Sequence, residues 1–409
     1  MKALVLAGGF PQIALLEELK QRNIETVLAD YYSQPVAKPY ADKFYQVSTL
    51  DVDGITDVAK REQVDFLITA CTDQALLTVA LVSEKLGLPC YIDYQTALKV
   101  TNKEYMKQVF MEHRIPTAQY MVTGEVLNSK PGNMQFPLIV KPVDCNSSKG
   151  VKKVTTDMQL QWALEEAIGF SRTNTAVVEE FVEGTELSVD VYVEDGKAHV
   201  LCISNSDKIA EAEKFVIFRT RYPSAEVNGE LAELIGEIAQ QVATAFGIQN
   251  SPMLIQMITN GTRLAVLEFS ARTGGGVKYL LIRKVSGFDV IGAVVDLTLG
   301  HKPHIRISAP ENRYISNEFI YCEAGKFDRL DGFEELKTEK IISDYYLFKW
   351  RGAQFDKIEN SGDRVAGFTI QGDTSEEMVS KHQRAAQRIR VLDEAGADMM
   401  RHDLLTEWF

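Results

Sequence analysis

Three groups of side chains, far apart in the chain, have types and spacing suited to handling a nucleotide. Lys141 closes the apolar stretch Pro137–Pro142, and six residues on come Ser147-Ser148-Lys149-Gly150. A lysine fixed on a strand and facing a loop of small residues with accessible backbone N–H groups suits a polyphosphate. Taken alone, a strand lysine before proline is ordinarily just solvated. The second group is Glu179-Glu180-Phe181-Val182-Glu183-Gly184-Thr185-Glu186. An extended strip of this kind offers a carbonyl and, two residues on, an N–H, matching the donor and acceptor edge of adenine, while Glu186 could accept from ribose hydroxyls. Its alternative is a charged linker. The third group is Gln256 with Glu268-Phe269-Ser270-Ala271-Arg272. Glu268 and Ser270 share one face of a strand, and a carboxylate beside a neutral oxygen suits Mg²⁺, which also takes phosphate oxygens and water. Arg272 can grip a carboxylate or a moving phosphoryl group with its fork. Thr273-Gly274-Gly275-Gly276 then lets backbone approach a ligand closely.

Composition narrows what else the chain can be. Its 409 residues suggest two or three domains, and 45% hydrophobic with 25% charged side chains is ordinary for a globular protein with a real core. A net charge of −13 repels phosphate backbones, so nucleic acid is not expected as a partner. No apolar run reaches the ~18 residues of a membrane span, so no membrane partner is expected either. Five scattered cysteines without CxxC spacing point to reduced thiols in a cytoplasm. His301 and His304 flank a proline and make a poor metal pair. Gly8-Gly9-Phe10 with Asp30 invites a dinucleotide reading, but Phe10 stands where the fingerprint needs glycine. A glycine turn handing a strand to a helix explains it better.

The elements that must position these groups can be read in outline. Alternating strand and helix signals through residue 100 imply a parallel sheet with helices on its faces. Thr101-Asn102-Lys103-Glu104 reads as a capping box, with Lys103 in the first turn of a helix. Two hairpins are expected, one around Asp195-Gly196 and one across Asn260-Gly261, with a strong amphipathic helix at Glu230–Phe246 between them. A strict two-residue turn at Asn260-Gly261 would set Gln256 opposite Ala265 and leave Glu268 on the other face. A metal site shared by Gln256 and Glu268 therefore demands a longer loop or a β-bulge.

In this order the pieces resemble the ATP-grasp superfamily, over roughly residues 1–300. The resemblance implies an α/β ATP-grasp fold: a Rossmann-like N-terminal domain, two α+β lobes clasping ATP, and a small C-terminal α/β extension. The corresponding ranges are 1–100, 101–185 (the small lobe with its entry helix), 186–300 (the large lobe with the metal site) and 301–409. Carried over, Lys103 and Lys141 contact the α- and β-phosphates, Ser147, Ser148, Lys149 and Gly150 bind the nucleotide with them, and the loop Cys145–Gly150 is the candidate lid. Glu179, Glu180, Phe181 and Val182 bind adenine, and Glu186 the ribose. Gln256, Glu268 and Ser270 hold Mg²⁺, or Mn²⁺ in its place. Arg272 steadies the acceptor carboxylate or acyl phosphate, and Lys208 is a further candidate for the γ-phosphate. Two positions depart from the pattern. Gln256 replaces the more usual acid, as in carbamoyl phosphate synthetases, and Ser270 replaces asparagine.

The implied reaction is ATP-dependent ligation of a carboxylate to an amine through an acyl phosphate, giving an amide or peptide bond. The Arg-Thr-Gly-Gly-Gly ending leans toward L-amino-acid ligases, so amino acids are among the expected small-molecule substrates, and a homodimer is expected. Carbamoyl-phosphate-type or purine-type chemistry is the runner-up. A non-catalytic ATP-binding protein could dispense with Glu268 and Arg272, and both are present. Arg219, Arg221 and Tyr222 are candidates for the substrate pocket.

Overall fold

The computed structural model describes residues 1–145, 149–209, 215–261 and 263–405. The chain divides into two compact units, Met1–Cys202 with Glu226–Ala309, and Ile203–Ala225 with Pro310–Phe409.

The first unit opens with the expected parallel sheet. Strand Lys2–Leu6 pairs with Glu25–Asp30 on one side and Phe66–Ile68 on the other, with Lys43–Gln46 at the edge. Its core side chains, Leu4, Leu6, Val27 and Leu67, pack with Ala75 and Val79 of helix Asp73–Leu86. Continuous burial along these strands is what helices on both faces of a parallel sheet require. The Gly8 turn is structural, as its missing glycine fingerprint suggested. The Gly8 N–H donates to Asp30 Oδ2 at 2.6 Å, and a Cβ at Gly8 would lie 2.5 Å from Pro35 Cβ. The carboxylate that a dinucleotide ribose would need is turned onto its own backbone.

Two further sheets follow. One is antiparallel, ordered Tyr120–Thr123, Ala176–Glu180, Leu138–Pro142 and Lys152–Val154, with helix Asp157–Phe170 packed on it. Leu138, Val140, Val178, Leu160 and Leu164 form its core. In the other, strands Leu264–Ser270, Ser251–Thr259, Thr185–Glu194 and Lys197–Lys208 lie side by side. Both expected hairpins are present in it. The expected capping residue is corrected: Asn102, not Thr101, caps helix Lys103–Glu112, its side chain accepting from the Glu104 and Tyr105 N–H groups. Thr101 ends the preceding helix Tyr94–Thr101 and turns its hydroxyl back onto the Ala97 carbonyl.

Strand Lys197–Lys208 carries the chain into the second unit. There its last residues pair with Ile217–Tyr222, followed in order by Tyr314–Ile320, Ala366–Gly372 and Asp344–Leu347. Helix Ser375–Arg388 adds Met378 and Ala385 to the core.

Candidate active site

The helix that begins at Lys103 is docked by its own first N–H, which donates to the Val143 carbonyl at 2.8 Å, just past Lys141. This brings two lysines to one place. Lys103 Nζ donates to the Cys145 carbonyl at 2.7 Å and lies 3.4 Å from Glu268. Lys141 is buried and ion-paired to Glu179. Burial opposes its charge, but the carboxylates of Glu179 and Glu268 outweigh that and raise its pKa. Glu179 is also buried, and its other oxygen lies 2.8 Å from Lys107. Burial alone would push its carboxyl up; the two lysines hold it down at about 2.

Glu179 and Glu180 extend strand Ala176–Glu180 instead of opening the strip that follows it. The Glu179 side chain faces the lysines. The Glu180 N–H donates to Gln119 O and the Phe181 N–H to Pro137 O, each at 3.0 Å. Lys153 sits over the Phe181 ring at 3.8 Å. Lys149 lies over Phe170 at 4.9 Å, and Gly150 adopts φ 71°. Ser147 and Ser148 lie outside the described residues.

The hairpin carries the bulge that a shared site demands. Thr259 pairs with Leu264 and Met257 with Val266, but the register then shifts, and Gln256 pairs with Glu268. Gln256 also pairs with Ser188, and Leu254 lies between Asp190 and Ser270. Directly paired residues share a face. Ser188, Gln256 and Glu268 thus form one row across three strands, and Asp190, Leu254 and Ser270 the next. The Gln256 amide donates to Glu186 at 3.2 Å. Glu268 keeps about a third of its side chain exposed, 36%. Ser270 is buried and hydrogen-bonds Asp73.

The fork of Arg272 closes on Asp73, with Nε donating at 2.7 Å and Nη2 to the second oxygen, while Nη1 donates to the Thr273 carbonyl at 2.8 Å. Burial favours neutral Asp73, yet Arg272, Ser270 and Lys103 together keep its pKa low.

Residues 134–279 match the family model described as an ATP-grasp domain, and residues 318–393 match the one described as L-amino acid ligase C-terminal domain 2. An ATP-grasp domain therefore spans residues 134–279 of the chain. ATP-dependent ligation that forms carbon–nitrogen bonds is the activity this likeness supports. A formate-dependent phosphoribosylglycinamide formyltransferase of Ignicoccus hospitalis is 26% identical over 406 residues, covering 96% of each chain. That of Sulfurisphaera tokodaii is 26% identical over 283 residues, 66% of this chain and 70% of its own. Among solved structures, an L-amino acid ligase from Bacillus licheniformis superposes with a TM-score of 0.79 at 18% identity, covering 96% of this chain and 98% of its own. A phosphoribosylglycinamide synthetase from Anaerococcus prevotii gives 0.75 at 18%, covering 96% and 99%. These likenesses are likenesses of fold.

Several residues of this ATP-grasp chain escaped the sequence reading. Asp73 begins the helix after strand Phe66–Ile68. The carboxyl end of a parallel strand is where α/β sheets gather ligands, and that signal was available. Lys107 stands four residues after Lys103, on the same helix face. Asp190 is 1% exposed, and Lys278 lies 3.4 Å from it beneath the glycine turn. Neither Asp190 oxygen has a hydrogen bond among the described residues. Burial outweighs the nearby lysine and raises its pKa.

Lys208 lies in the second unit, its ammonium 5.1 Å from the Phe215 ring centre. Arg219 and Arg221 belong to that unit too. Arg219 is 2% exposed and donates to both oxygens of Glu318, at 2.9 and 2.8 Å, and His382 Nε2 lies 3.0 Å from its Nη2. Arg221 pairs with Asp207 at 2.8 Å.

Proposed function

We propose that this chain uses ATP to phosphorylate the carboxylate of an amino acid and passes the acyl group to an amine, forming an amide or peptide bond. The observation that carries this reading is the row Ser188, Gln256 and Glu268 on one sheet face, with Lys103 3.4 Å from Glu268 and Arg272 four residues further on. Lys103 and Lys141 hold the α- and β-phosphates, with Ser147, Ser148, Lys149 and Gly150 as the lid. With the Glu180 and Phe181 N–H groups used by the protein, the adenine edge falls to the Glu180 carbonyl and the Val182 N–H, and ribose to Glu186. Arg272 steadies the acyl phosphate.

A partly exposed carboxylate beside amide and hydroxyl oxygens is an oxygen-only donor set, which fits a hard cation. Among the described residues no cluster of three His, Cys, Asp or Glu side chains could hold a metal. Glu268, with Gln256 and Ser270, would therefore hold Mg²⁺, or Mn²⁺, together with phosphate oxygens. The ion would supply charge stabilisation for the phosphoryl group. Arg272 keeps its own charge because Asp73 faces it, and burial around it excludes the water that would hydrolyse an acyl phosphate.

In this reading the ranges 1–100, 101–185, 186–300 and 301–409 act as nucleotide-lobe neighbour, lid, metal lobe and extension. The protein works as a homodimer in the cytoplasm, where free cysteines such as Cys202 and Cys322 are at home. No helix of the described residues is long and apolar enough to cross a membrane.

A second reading follows from the formyltransferase relatives: formate as the acid and phosphoribosylglycinamide as the amine. One assay decides between the two. ADP release is measured for paired amino acids and for formate with phosphoribosylglycinamide, and product masses are read afterwards. Amino-acid-dependent release with a dipeptide mass supports the first reading; release only with formate replaces it; none with any pair removes both.

A further inference from the structure

Three charged side chains are buried together where a structural ion pair would need two. Lys107, Glu179 and Lys141 have side-chain exposures of 1%, 4% and 9%. Burying an ammonium or carboxylate costs several kcal/mol per ion unless it is paired. Two lysines around one glutamate leave one positive charge in excess. We propose that Lys107 is a positioning residue for ATP: it takes one oxygen of Glu179, so that Glu179 holds Lys141 in place without cancelling its charge, and the excess charge is directed at the polyphosphate. This rests on the assignment of Lys141 to ATP made above.

The geometry supports this division of work. Lys107 is too deeply buried to touch a nucleotide, and it is tied on its far side. Its Nζ donates to Thr117 Oγ1 at 2.6 Å, and that hydroxyl donates to the Val266 carbonyl at 2.8 Å, two residues before Glu268. Lys107 is therefore fixed from the large-lobe strand Leu264–Ser270, while Lys141 and Glu179 stand on neighbouring strands of the antiparallel sheet. If Lys107 is removed, both Glu179 oxygens fall to Lys141. The cluster becomes neutral, and the phosphate must compete with a whole carboxylate for one ammonium.

The test is a set of variants read by ATP affinity and by the melting temperature of the ATP-free protein. Lys107→Met should weaken ATP binding about tenfold or more, and the ATP-free protein should stay folded because Glu179 keeps Lys141 as its partner and is not left as an unpaired buried charge. Lys107→Arg should restore affinity. Lys107→Met combined with Glu179→Gln should bind ATP no more weakly than Glu179→Gln alone, since a neutral amide in place of the carboxylate makes no demand on the Lys141 charge. ATP binding by Lys107→Met equal to wild type overturns the proposal, as does a further tenfold loss in the double variant over Glu179→Gln. The double variant keeps the test open even where the single one fails to fold. If wild-type protein does not bind ATP, the assignment of Lys141 falls instead, a result distinct from either.

Discussion

At the scale of single residues, Glu268 bears the heaviest chemical load. In the proposed reading its carboxylate is the group that meets the metal, and its partial exposure means that the core does not depend on it. Glu268→Ala should change stability by no more than ~0.5 kcal/mol. Turnover should fall by on the order of 10²-fold or more, because a metal supplies several kcal/mol of charge stabilisation. Denaturation midpoints together with ADP release check this, and near-normal release would remove the metal assignment. Lys103, Lys141, Glu268 and Arg272 stand out in the sequence because charge type, strand parity and order along the chain all bear on them. Their partners do not. Asp73 lies 199 residues from Arg272, and one sequence contains nothing that pairs them. Arg219 was a candidate for the substrate pocket, but nothing in one sequence fixes its direction, and the structure gives that charge to Glu318.

At the scale of elements, the glycine run after Arg272 separates into positions that differ in kind. A Cβ on Gly274 would lie 2.8 Å from Lys278 Cγ and 3.3 Å from Asp190 Oδ1, whereas one on Gly275 meets nothing within 4 Å. Gly274→Ala should cost ~1–3 kcal/mol, as overpacking does, and Gly275→Ala far less; urea melts of the pair check this. The sequence showed that the run was special but not which glycine carries the constraint, because that depends on a lysine and an aspartate arriving from other elements. The Asn260-Gly261 hairpin shows the same limit. Its strands were plain from alternation, and the need for an irregularity followed from parity. The shift falls between Gln256 and Met257 and leaves Leu267 as the extra residue, while pairing to Thr185–Glu194 on the other side runs through without a break. Capping near Lys103 was misassigned by one residue, because the polar pair Thr101-Asn102 joins two helices instead of opening one.

For the whole molecule, ligand and proton binding should both register in stability. Mg-ATP at 100 times its dissociation constant should add ~2.7 kcal/mol, and NAD or NADP nothing. Thermal melts with each nucleotide check this, and stabilisation by NADP instead of ATP would contradict the fold's assignment. Acid should act through Glu318 and Glu179, whose pKa values are both held at about 2. Their folded values lie below the ordinary ~4.3 of glutamate. Their contribution is therefore complete above that value and is lost as pH falls toward 2. Melting temperature should drop across that window, and the slope should be shallower in Glu318→Gln.

The pairing of Arg219 with Glu318 also has a consequence for the order in which the chain is made. The two residues are 99 positions apart, and the whole of the first unit's second segment, Glu226–Ala309, is synthesised between them. At the ~5–20 residues per second of translation, Arg219 waits roughly 5–20 s for its counter-ion. During that interval strand Ile217–Tyr222 has no Tyr314–Ile320 to pair with, and its guanidinium must stay in water. A nascent chain halted after Ala309 would present this strand edge and an uncompensated charge to its neighbours. Such a fragment should be recovered bound to chaperones or in aggregates, and release should follow only when synthesis has passed Ile320.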